Sequence, residues 1–343
     1  MEPKKKSRRI LLWLIPLIIG TIYVLHKHNA SMGFQQTRGL VFGTIYTTSY
    51  QYHEDLKLEI EKELKRLDLS LSPFNKSSII TKVNLNEDIV TDTLFQNVFR
   101  KSMQISEETH GAFDITIAPL ANAWGFGFKK GEWPDSTMID SLLLLTNYKN
   151  VSIENGKVIK KDPRMMISCS AIAKGYATDV IAQFFERKGI KNYMVDIGGE
   201  VVLKGHNPRE EEWRIGINKP IDDSLSVNKQ ELQIILQLTD AGIATSGNYR
   251  NYYYKDGKKY AHTIDPRTGY PVQHNILSAT VLAEDCMTAD ALATAFMVMG
   301  LDEAETYLKS HPTIGACFIY SDSTGQYKTH ITENMQKYVI EQK

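Results

Sequence analysis

The chain has 343 residues, and its 40 lysines and arginines balance its 40 aspartates and glutamates, so the formal net charge is zero. With no basic excess, and no basic cluster beyond the N-terminus, the composition argues against a nucleic-acid-binding protein. The length allows one large domain or two, with ample material for a hydrophobic core. The three cysteines, Cys169, Cys286 and Cys317, form no zinc-binding pattern, and we expect no disulfide.

The N-terminus combines a basic cluster with an apolar segment. Lys4–Arg9 is followed by Ile10–Leu25, which is uncharged and mainly apolar. Basic residues ahead of an apolar segment predict that the start stays in the cytoplasm and that the remainder is exported. The segment has the length of a short membrane-spanning helix or of a long signal-peptide core. Because His26–Ser31 is a poor cleavage site, we favour an uncleaved membrane anchor in residues 1–30, followed by a linker in residues 31–38.

Beyond the linker, the chain begins with a predicted strand over residues 39–50. In Glu54–Leu69, aliphatic residues recur at helical spacing on a charged background, which predicts an amphipathic helix. Leu71–Ser78 is rich in turn-forming residues and carries one aromatic, Phe74. A second helix is expected over Asp92–His110.

Gly111–Gly127 is rich in glycines and aromatics, and two interpretations remain open. Such residues commonly line a corner of the core. They could also form the wall of a ligand site, in which Trp124 or Phe126 stacks on a ring and Asp114 binds a ribityl or ribose hydroxyl.

Ser168–Asp179 opens a helix that is predicted to run to about Gly189. The start of a helix offers unpaired N–H groups and a positive dipole, which favour anions. Lys174 lies in the first turn, against that dipole, so we expect either a phosphate or carboxylate partner or a side chain that faces solvent. Further along, Gly198–Gly199 separates two predicted strands, either as a hairpin turn or as a place where a ligand approaches the backbone.

Tyr260–Ile264 predicts the end of a strand, and Asp265 starts a tight turn in which Gly269 takes a positive φ. His262 and Asp265 therefore lie where polar side chains can face a cleft while the backbone stays rigid. The alternative is an ordinary hairpin with a surface histidine.

Thr288–Gly300 predicts a buried helix, because its interior is almost wholly apolar, with Asp285 or Thr288 as the N-terminal cap. Asp290 and Thr294 are four residues apart and project from one face. A buried carboxylate is costly without a partner, and this helix contains no lysine or arginine. A hard cation such as Mg²⁺ would suit these oxygens. The alternative is an aspartate favoured by the helix dipole and a threonine bonded back to a carbonyl.

The order of the predicted elements indicates the fold class. Strands come in runs with hairpin-like turns, and helices come singly between these groups, which favours an α+β fold with largely antiparallel sheets. The sequence has no GxGxxG motif after a strand and no Walker A motif. A nucleotide would therefore not be held in the Rossmann or P-loop manner.

In combination, these segments make the chain resemble the ApbE-like family of FAD:protein FMN transferases. The matching segments run from Phe42-Gly43-Thr44 to Thr294, nearly everything beyond the N-terminal segment. The specific motifs are Gly111-Ala-Phe-Asp-Ile-Thr116, Ala171-Ile-Ala-Lys-Gly-Tyr-Ala177, Thr245-Ser-Gly-Asn-Tyr-Arg250, and His262-Thr-Ile-Asp-Pro-Arg-Thr-Gly269 with Ala289-Asp-Ala-Leu-Ala-Thr294. The resemblance implies an ApbE-like (T-fold-like) flavin transferase fold, with residues 39–343 as the catalytic domain.

The resemblance also implies an activity and a set of site residues. FMN would move from FAD onto a Thr or Ser hydroxyl of a target protein through a phosphoester bond, and AMP would leave. Mg²⁺ would be held by Asp290, Thr294 and the backbone carbonyl of Ala171. The residues that match FAD-binding positions are Phe42, Phe74, Ala112, Phe113, Asp114, Lys174 and Ile264.

The acceptor follows by analogy with the family, and the location follows from the N-terminal segment. The acceptor would be a subunit of a membrane redox pump or an exported flavoprotein. The catalytic domain would lie on the periplasmic side of the cytoplasmic membrane, held there by the N-terminal segment.

Three positions depart from the family pattern. Phe42 stands where methionine is common, Asn248 where aspartate is frequent, and Ser168 where aspartate is common. The change at Ser168 removes a negative charge near the expected metal site.

His262 is the best-placed general base for the acceptor hydroxyl, because histidine is the side chain that titrates near neutral pH unperturbed. Two alternative functions remain. One is an FAD pyrophosphatase that gives FMN and AMP, and the other is an exported flavin-binding protein without catalysis.

Overall fold

The computed structural model describes residues 15–21, 32–127, 133–220, 232–248, 252–255 and 258–342. Its strands are β1 (Phe34–Val41), β2 (Thr44–Gln51), β3 (Val151–Glu154), β4 (Lys157–Lys160), β5 (Tyr193–Ile197), β6 (Glu200–Lys204), β7 (Trp213–Asn218), β8 (Leu232–Leu238), β9 (Ala241–Gly247), β10 (Tyr252–Lys255), β11 (Lys258–Ala261), β12 (Ile276–Ala283), β13 (Gly315–Ser321), β14 (Tyr327–Ile331) and β15 (Val339–Gln342).

The helices include α1, of which residues 15–21 are described. The others are α2 (Lys57–Leu71), α3 (Ile79–Asn84), α4 (Thr93–Glu108), α5 (Ala118–Ala123), α6 (Ser136–Leu143), α7 (Ala173–Arg187), α8 (Cys286–Met299), α9 (Leu301–Ser310) and α10 (Glu333–Gln336), with a 3₁₀ helix at Tyr148–Asn150.

Within the described ranges, eight strands form the main sheet in the order β1-β2-β5-β6-β9-β12-β13-β14. All of its neighbouring strands pair antiparallel. A three-stranded sheet, β15-β8-β7, and the hairpins β3-β4 and β10-β11 account for the other described strands. The predicted α+β class with largely antiparallel sheets is confirmed.

The central strands β12 and β13 of the main sheet are buried on both faces. Successive side chains of a strand point to opposite sides of the sheet. On β13, Ala316 and Phe318 join the larger core, to which helices α2, α4, α7 and α8 contribute. Cys317 and Ile319, on the opposite face, pack in a second core with the three-stranded sheet. Burial on both sides explains why this strand is apolar throughout rather than alternating.

Helix α8 is the buried helix that the sequence predicts. Asp285 caps it by accepting a hydrogen bond from the N–H of Thr288 at 2.6 Å, and Gly300 ends it with a φ of 78°. The helix packs on β9, β12 and α7. Its interior residues from Ala289 to Val298 are almost all inaccessible to solvent. It therefore places its polar side chains inside the protein rather than at the surface.

Several predicted boundaries differ from the structure. The single strand predicted over residues 39–50 is two antiparallel strands, β1 and β2, because the turn at Phe42 and Gly43 reverses the chain. Strand β1 begins at Phe34, inside the predicted linker 31–38, because β2 pairs with it along its whole length from Phe34 opposite Gln51. The strand predicted to reach Ile264 ends at Ala261. Ile264 instead forms an isolated bridge with Pro271, because the intervening turn brings these two residues together.

The N-terminal segment is described only in part. Residues 15–21 are helical and exposed. In the part of the chain that the structure describes, no helix combines the length and apolar character needed to cross a membrane. The basic cluster Lys4–Arg9 and the rest of Ile10–Leu25 lie outside the described residues. The three cysteines are buried and unpaired.

Candidate functional site

A cavity of about 170 Å³ lies where the loop before α5, the turn before α7, the loop after β11 and helix α8 meet. Most of the predicted site residues line it, namely Phe74, Ala112, Phe113, Asp114, Ala171, Ile264 and Thr294. Phe126, Ser168, Ser170 and Pro266 are among the other lining residues. The fold thus collects segments that are far apart in the sequence around one opening.

The aromatic residues of the cavity have different roles. The side chain of Phe74 is 77% exposed and is available for stacking. Of the two stacking candidates in Gly111–Gly127, only Phe126 lines the cavity. Trp124 is buried, and its Nε1 donates a hydrogen bond to the carbonyl of Gly269 at 2.8 Å. Trp124 therefore supports the turn at Gly269 rather than forming the ligand wall.

Asp114 is a buried carboxylate in the cavity wall. Its Oδ1 accepts hydrogen bonds from the N–H and the hydroxyl of Thr116 at 2.7 and 2.6 Å, and its Oδ2 accepts one from the N–H of Tyr148 at 2.8 Å. Burial raises the pKa of Asp114, and these hydrogen bonds oppose the rise. Asp114 thus holds the wall in place, and a ligand hydroxyl would share oxygens that are already engaged.

Lys174, in the first turn of α7, has a carboxylate partner. Its ammonium donates to Oε1 of Glu200, the first residue of β6. Burial would lower the pKa of Lys174, but the carboxylates of Asp290 and Glu200 outweigh it and raise this pKa. Burial, with the nearby charge of Asp290, raises the pKa of Glu200, and the ammonium of Lys174 opposes this rise. Of the expected partners for Lys174, the structure shows the carboxylate.

Helices α7 and α8 meet at Gly175. Its N–H donates to Oδ2 of Asp290 at 2.9 Å. A Cβ at this position would clash with the carbonyl of Cys286 and come within 2.7 Å of the Cβ of Asp290. Only glycine allows this approach, which places Asp290 beside the start of the helix that carries Lys174.

Asp179 makes a second link between the same helices. Its carboxylate accepts hydrogen bonds from the N–H groups of Cys286 and Met287, at 2.9 and 2.8 Å, in the first turn of α8. Burial raises the pKa of Asp179 to about 7, with the Asp285 charge adding to the rise and the backbone hydrogen bonds opposing it. This carboxylate fixes the start of α8 relative to α7.

Two of the predicted metal ligands line the cavity, and the third, Asp290, lies one turn earlier on α8 without lining it. Asp290 and Thr294 are one turn apart on α8, and Thr294 and Ala171 both line the cavity. Asp290 Oδ2 bonds to Gly175, while among the described residues Oδ1 has no hydrogen-bond partner. The hydroxyl of Thr294 lies 3.2 Å from that of Ser246 on β9. A carboxylate oxygen, a hydroxyl and a carbonyl form a donor set that fits Mg²⁺. Burial raises the pKa of Asp290, against the opposing effect of Lys174.

His262 follows the end of β11 and is half-buried, and its ring centroid lies 6.3 Å from that of Phe126, with an angle of 67° between the ring planes. The adjacent Thr263 donates a hydrogen bond from its hydroxyl to Oδ1 of Asn248 at 2.6 Å. Gly269 has the predicted positive φ, at 79°. This loop is held at both ends, so His262 lies beside the cavity on a fixed backbone.

Phe42 lies in the turn between β1 and β2, with a φ of 50°, and packs partly against the main core. It does not line the cavity. Ile45, three residues further along on β2, accepts a hydrogen bond through its carbonyl from the N–H of Gly198, at 3.0 Å. The turn of Phe42 is thereby connected to the β5–β6 turn, which is followed by Glu200.

Glu200, Asp179 and Ser246 belong to this site but were not predicted as site residues. Glu200 could have been recognised as a charge at the start of an apolar strand, directly after two glycines. Asp179 could have been recognised as a charge among the apolar residues of a helix. No sequence pattern pairs Ser246 with Thr294, because that contact arises only when β9 packs against α8.

The chain is similar to known proteins both in sequence and in fold. The model of the ApbE family matches residues 42–318. An FAD:protein FMN transferase of Vibrio cholerae is 37% identical over 273 residues, which cover 76% of this chain and 80% of that protein. The solved flavin transferase ApbE from Vibrio cholerae has a TM-score of 0.80 and 33% identity, covering 90% of this chain and 99% of that one. The Pseudomonas stutzeri flavinyl transferase ApbE, in its apo form, has a TM-score of 0.79 at 29% identity, covering 90% and 97%.

Proposed function

The chain belongs to the ApbE family, and we propose that it is an enzyme that transfers FMN from FAD to a target protein. The observation that carries this proposal is the cavity itself. An aromatic and apolar wall that includes the exposed Phe74 is joined in it to Thr294 of α8 and to Ala171, just before α7. Asp290 and Lys174 lie on these two helices, where the N–H of Gly175 donates to Asp290, and they form the charged end of the site. The wall suits a flat ring system, and the charged end suits a pyrophosphate.

FAD is the substrate in this proposal, and only part of it would lie in the cavity. A volume of about 170 Å³ is below the roughly 300–1,000 Å³ of typical small-molecule pockets. One end of the dinucleotide would occupy the cavity and the rest would extend over its rim. The ammonium of Lys174 would face the phosphates.

Mg²⁺ would be held by Asp290, Thr294 and the carbonyl of Ala171. Bound there, it would neutralise charge on the pyrophosphate oxygens, which is a main requirement of phosphoryl-transfer chemistry. Other residues of the chain hold two of these ligands in position. Gly175 orients Asp290 through Oδ2, and Ser246 contacts the hydroxyl of Thr294.

The acceptor would be a Thr or Ser hydroxyl of another protein. Its oxygen would attack the phosphorus of the FMN half, the bond from that phosphorus to the AMP phosphate would break, and AMP would leave. His262 would take the hydroxyl proton, since it is half-buried beside a residue of the cavity wall. His262→Ala should slow transfer while FAD affinity is retained. An unchanged transfer rate would remove His262 from this role.

Intact-mass analysis of an acceptor protein tests the proposal. The reaction would contain the full chain, FAD, Mg²⁺ and a protein with an acceptor threonine in a short flexible segment. We expect the acceptor to gain the mass of a covalent FMN group. Free FMN and AMP without modified acceptor would indicate an FAD pyrophosphatase instead, and unchanged FAD a flavin-binding protein.

We also propose that the catalytic domain is exported and remains anchored to the cytoplasmic membrane. Lys4–Arg9 ahead of the apolar Ile10–Leu25 supports this. The acceptor would then be a subunit of a membrane redox pump or an exported flavoprotein. N-terminal sequencing of the protein from its native membrane should find residue 1 or 2. A mature start near Ser31 would contradict the anchor.

A further inference from the structure

Glu200 is a buried carboxylate with one engaged oxygen. Its side chain is 3% exposed, and its Oε1 accepts a hydrogen bond from the ammonium of Lys174. Its Oε2 is buried and has no hydrogen-bond partner in the described ranges. Burying a carboxylate in this way is costly. Such local costs are typical of sites that serve a function rather than stability.

The backbone around Glu200 is fixed on both sides. Gly198 and Gly199 form the preceding turn with φ values of 69° and 102°. The N–H of Gly199 donates to Oδ1 of Asp196 at 2.9 Å, and the N–H of Gly198 donates to the carbonyl of Ile45 at 3.0 Å. The backbone of Glu200 is therefore fixed, so its carboxylate can hold a long, flexible side chain in one position.

Lys174 is that flexible partner. Its side chain is 32% exposed, so the ammonium lies between the buried Glu200 and solvent. An ammonium has three N–H donors, of which Glu200 uses one. The other donors can serve an anion that approaches from outside. The first turn of a helix disfavours a cation, so the ammonium needs a carboxylate to stay there.

We propose that Glu200 is a positioning residue, which holds the ammonium of Lys174 where it meets the phosphates of FAD. This inference rests on the proposed function, because FAD is the phosphate ligand in question. The arrangement has the same logic as the lysine–glutamate pair of protein kinases, in which a glutamate must hold the lysine that faces the nucleotide phosphates. Glu200 itself does not touch the substrate.

A second ion pair between the same two elements provides a matched control. Lys204, at the other end of β6, pairs with Glu186, near the end of α7. Both of these side chains are more than 40% exposed. The pair links the same helix and strand without being buried or lying beside the cavity. If tying α7 to β6 were all that mattered, the two pairs would be equivalent.

Glu200 could affect FAD binding in two opposite ways, and the direction of the change in FAD affinity on its replacement distinguishes them. As a nearby negative charge it would repel phosphates, so its removal would tighten FAD binding. As a positioning residue it orders the ammonium, so its removal would weaken FAD binding. A charge-assisted hydrogen bond that fixes a long side chain supports the second outcome.

A double-mutant cycle measures the proposal. The Kd for FAD would be determined by titration, without acceptor, for the full chain and for Glu200→Gln, Lys174→Ala, the double variant and Glu186→Gln. We expect Glu200→Gln to weaken binding about tenfold, which corresponds to about 1.4 kcal/mol. In the Lys174→Ala background the same change should have an effect below about twofold, because a residue that acts through Lys174 cannot act without it. Glu186→Gln should leave the Kd unchanged.

Several outcomes would overturn the proposal. These are tighter or unchanged FAD binding by Glu200→Gln, an equal loss in both backgrounds, or an equal loss from Glu186→Gln. If Glu200→Gln does not fold, Glu200→Asp replaces it. Aspartate keeps the charge but withdraws the carboxylate by one methylene, so affinity should still fall only when Lys174 is present. Wild-type chain that binds FAD but modifies no acceptor would contradict the transferase proposal alone, and the cycle would still decide the role of Glu200.

Discussion

The charged residues of the site lie on separate elements but depend on one another. Lys174 has Glu200 as its partner and Asp290 as a nearby charge, and Asp290 accepts a hydrogen bond from the backbone of Gly175. Each carboxylate is buried, so each has a raised pKa through loss of hydration. The network concentrates negative charge around one ammonium, a setting in which a divalent cation would be favourable.

Asp290→Asn tests the metal proposal at the level of one residue. Asparagine keeps the shape and an oxygen that can accept from Gly175, but it removes the negative charge. We expect transfer at millimolar Mg²⁺ to fall at least about a hundredfold, because a metal contributes several kcal/mol of charge stabilisation. FAD binding should persist in part through the aromatic wall.

The control for this substitution is Asp302→Asn, an exposed aspartate in the first turn of α9. It should leave transfer unchanged. Near-wild-type transfer by Asp290→Asn, or full activity of the wild-type chain in EDTA, would contradict the metal assignment.

Asp179 makes the stability of the protein depend on pH. Its folded pKa is about 7, whereas an unfolded aspartate titrates near 3.9. Between these values unfolding releases a proton, so this residue's contribution to the free energy of unfolding falls as pH rises from about 4 to about 7. The slope is at most about 1.4 kcal/mol per pH unit.

The measurement is denaturant unfolding of wild type and Asp179→Asn across pH 4.5 to 7.5. The free energy of unfolding of the wild type, minus that of Asp179→Asn, should decrease as pH rises and become constant above about pH 7. A difference that stays constant, or that drifts in the opposite direction, would refute this titration.

At the scale of elements, the contact between α7 and α8 positions the charged end of the cavity. Gly175→Ala would put a methyl group within 2.7 Å of the Cβ of Asp290 and against the carbonyl of Cys286. Overpacking of this kind costs about 1–3 kcal/mol. The two helices must move apart to accommodate the methyl group, which displaces Asp290 from Lys174. We therefore expect the variant to stay folded at the assay temperature, with a lowered midpoint of thermal unfolding, and its transfer rate to fall although the protein is folded.

Gly33→Ala is the control for that substitution. A Cβ at Gly33 meets nothing within 4 Å, and no positive φ is required there. Both its activity and its unfolding temperature should match the wild type. If Gly175→Ala is equally silent, the close approach of the two helices does not matter for the site.

The sequence predicts some elements better than others, for physical reasons. Helix α8 is predictable because its N-terminal cap, its apolar interior and its terminal glycine all indicate a buried helix with these ends. The start of β1 is not, because Phe34 is in a strand only through its pairing with β2. The resemblance supplied the cavity residues, but Phe42 does not line the cavity. Local patterns could not place Glu200 beside Lys174, since a β-turn and a helix start meet there only in the folded chain.

At the scale of the whole molecule, the two faces of the main sheet differ in their roles. One face packs against the three-stranded sheet and contributes to a core with no part in the site. The other carries α7 and α8, which bring the cavity, the carboxylates and Lys174 together. We therefore expect the chain to act as a scaffold that holds FAD in place while a hydroxyl of a second protein attacks.

The most direct test of that account is the stoichiometry of transfer. AMP and modified acceptor would be quantified over time in one reaction of the full chain with FAD, Mg²⁺ and acceptor protein. We expect one AMP for each FMN group attached. No attachment should occur when the acceptor threonine is replaced by alanine. AMP released in excess of modified acceptor, or at the same rate from the alanine acceptor, would show that water rather than a protein hydroxyl receives FMN.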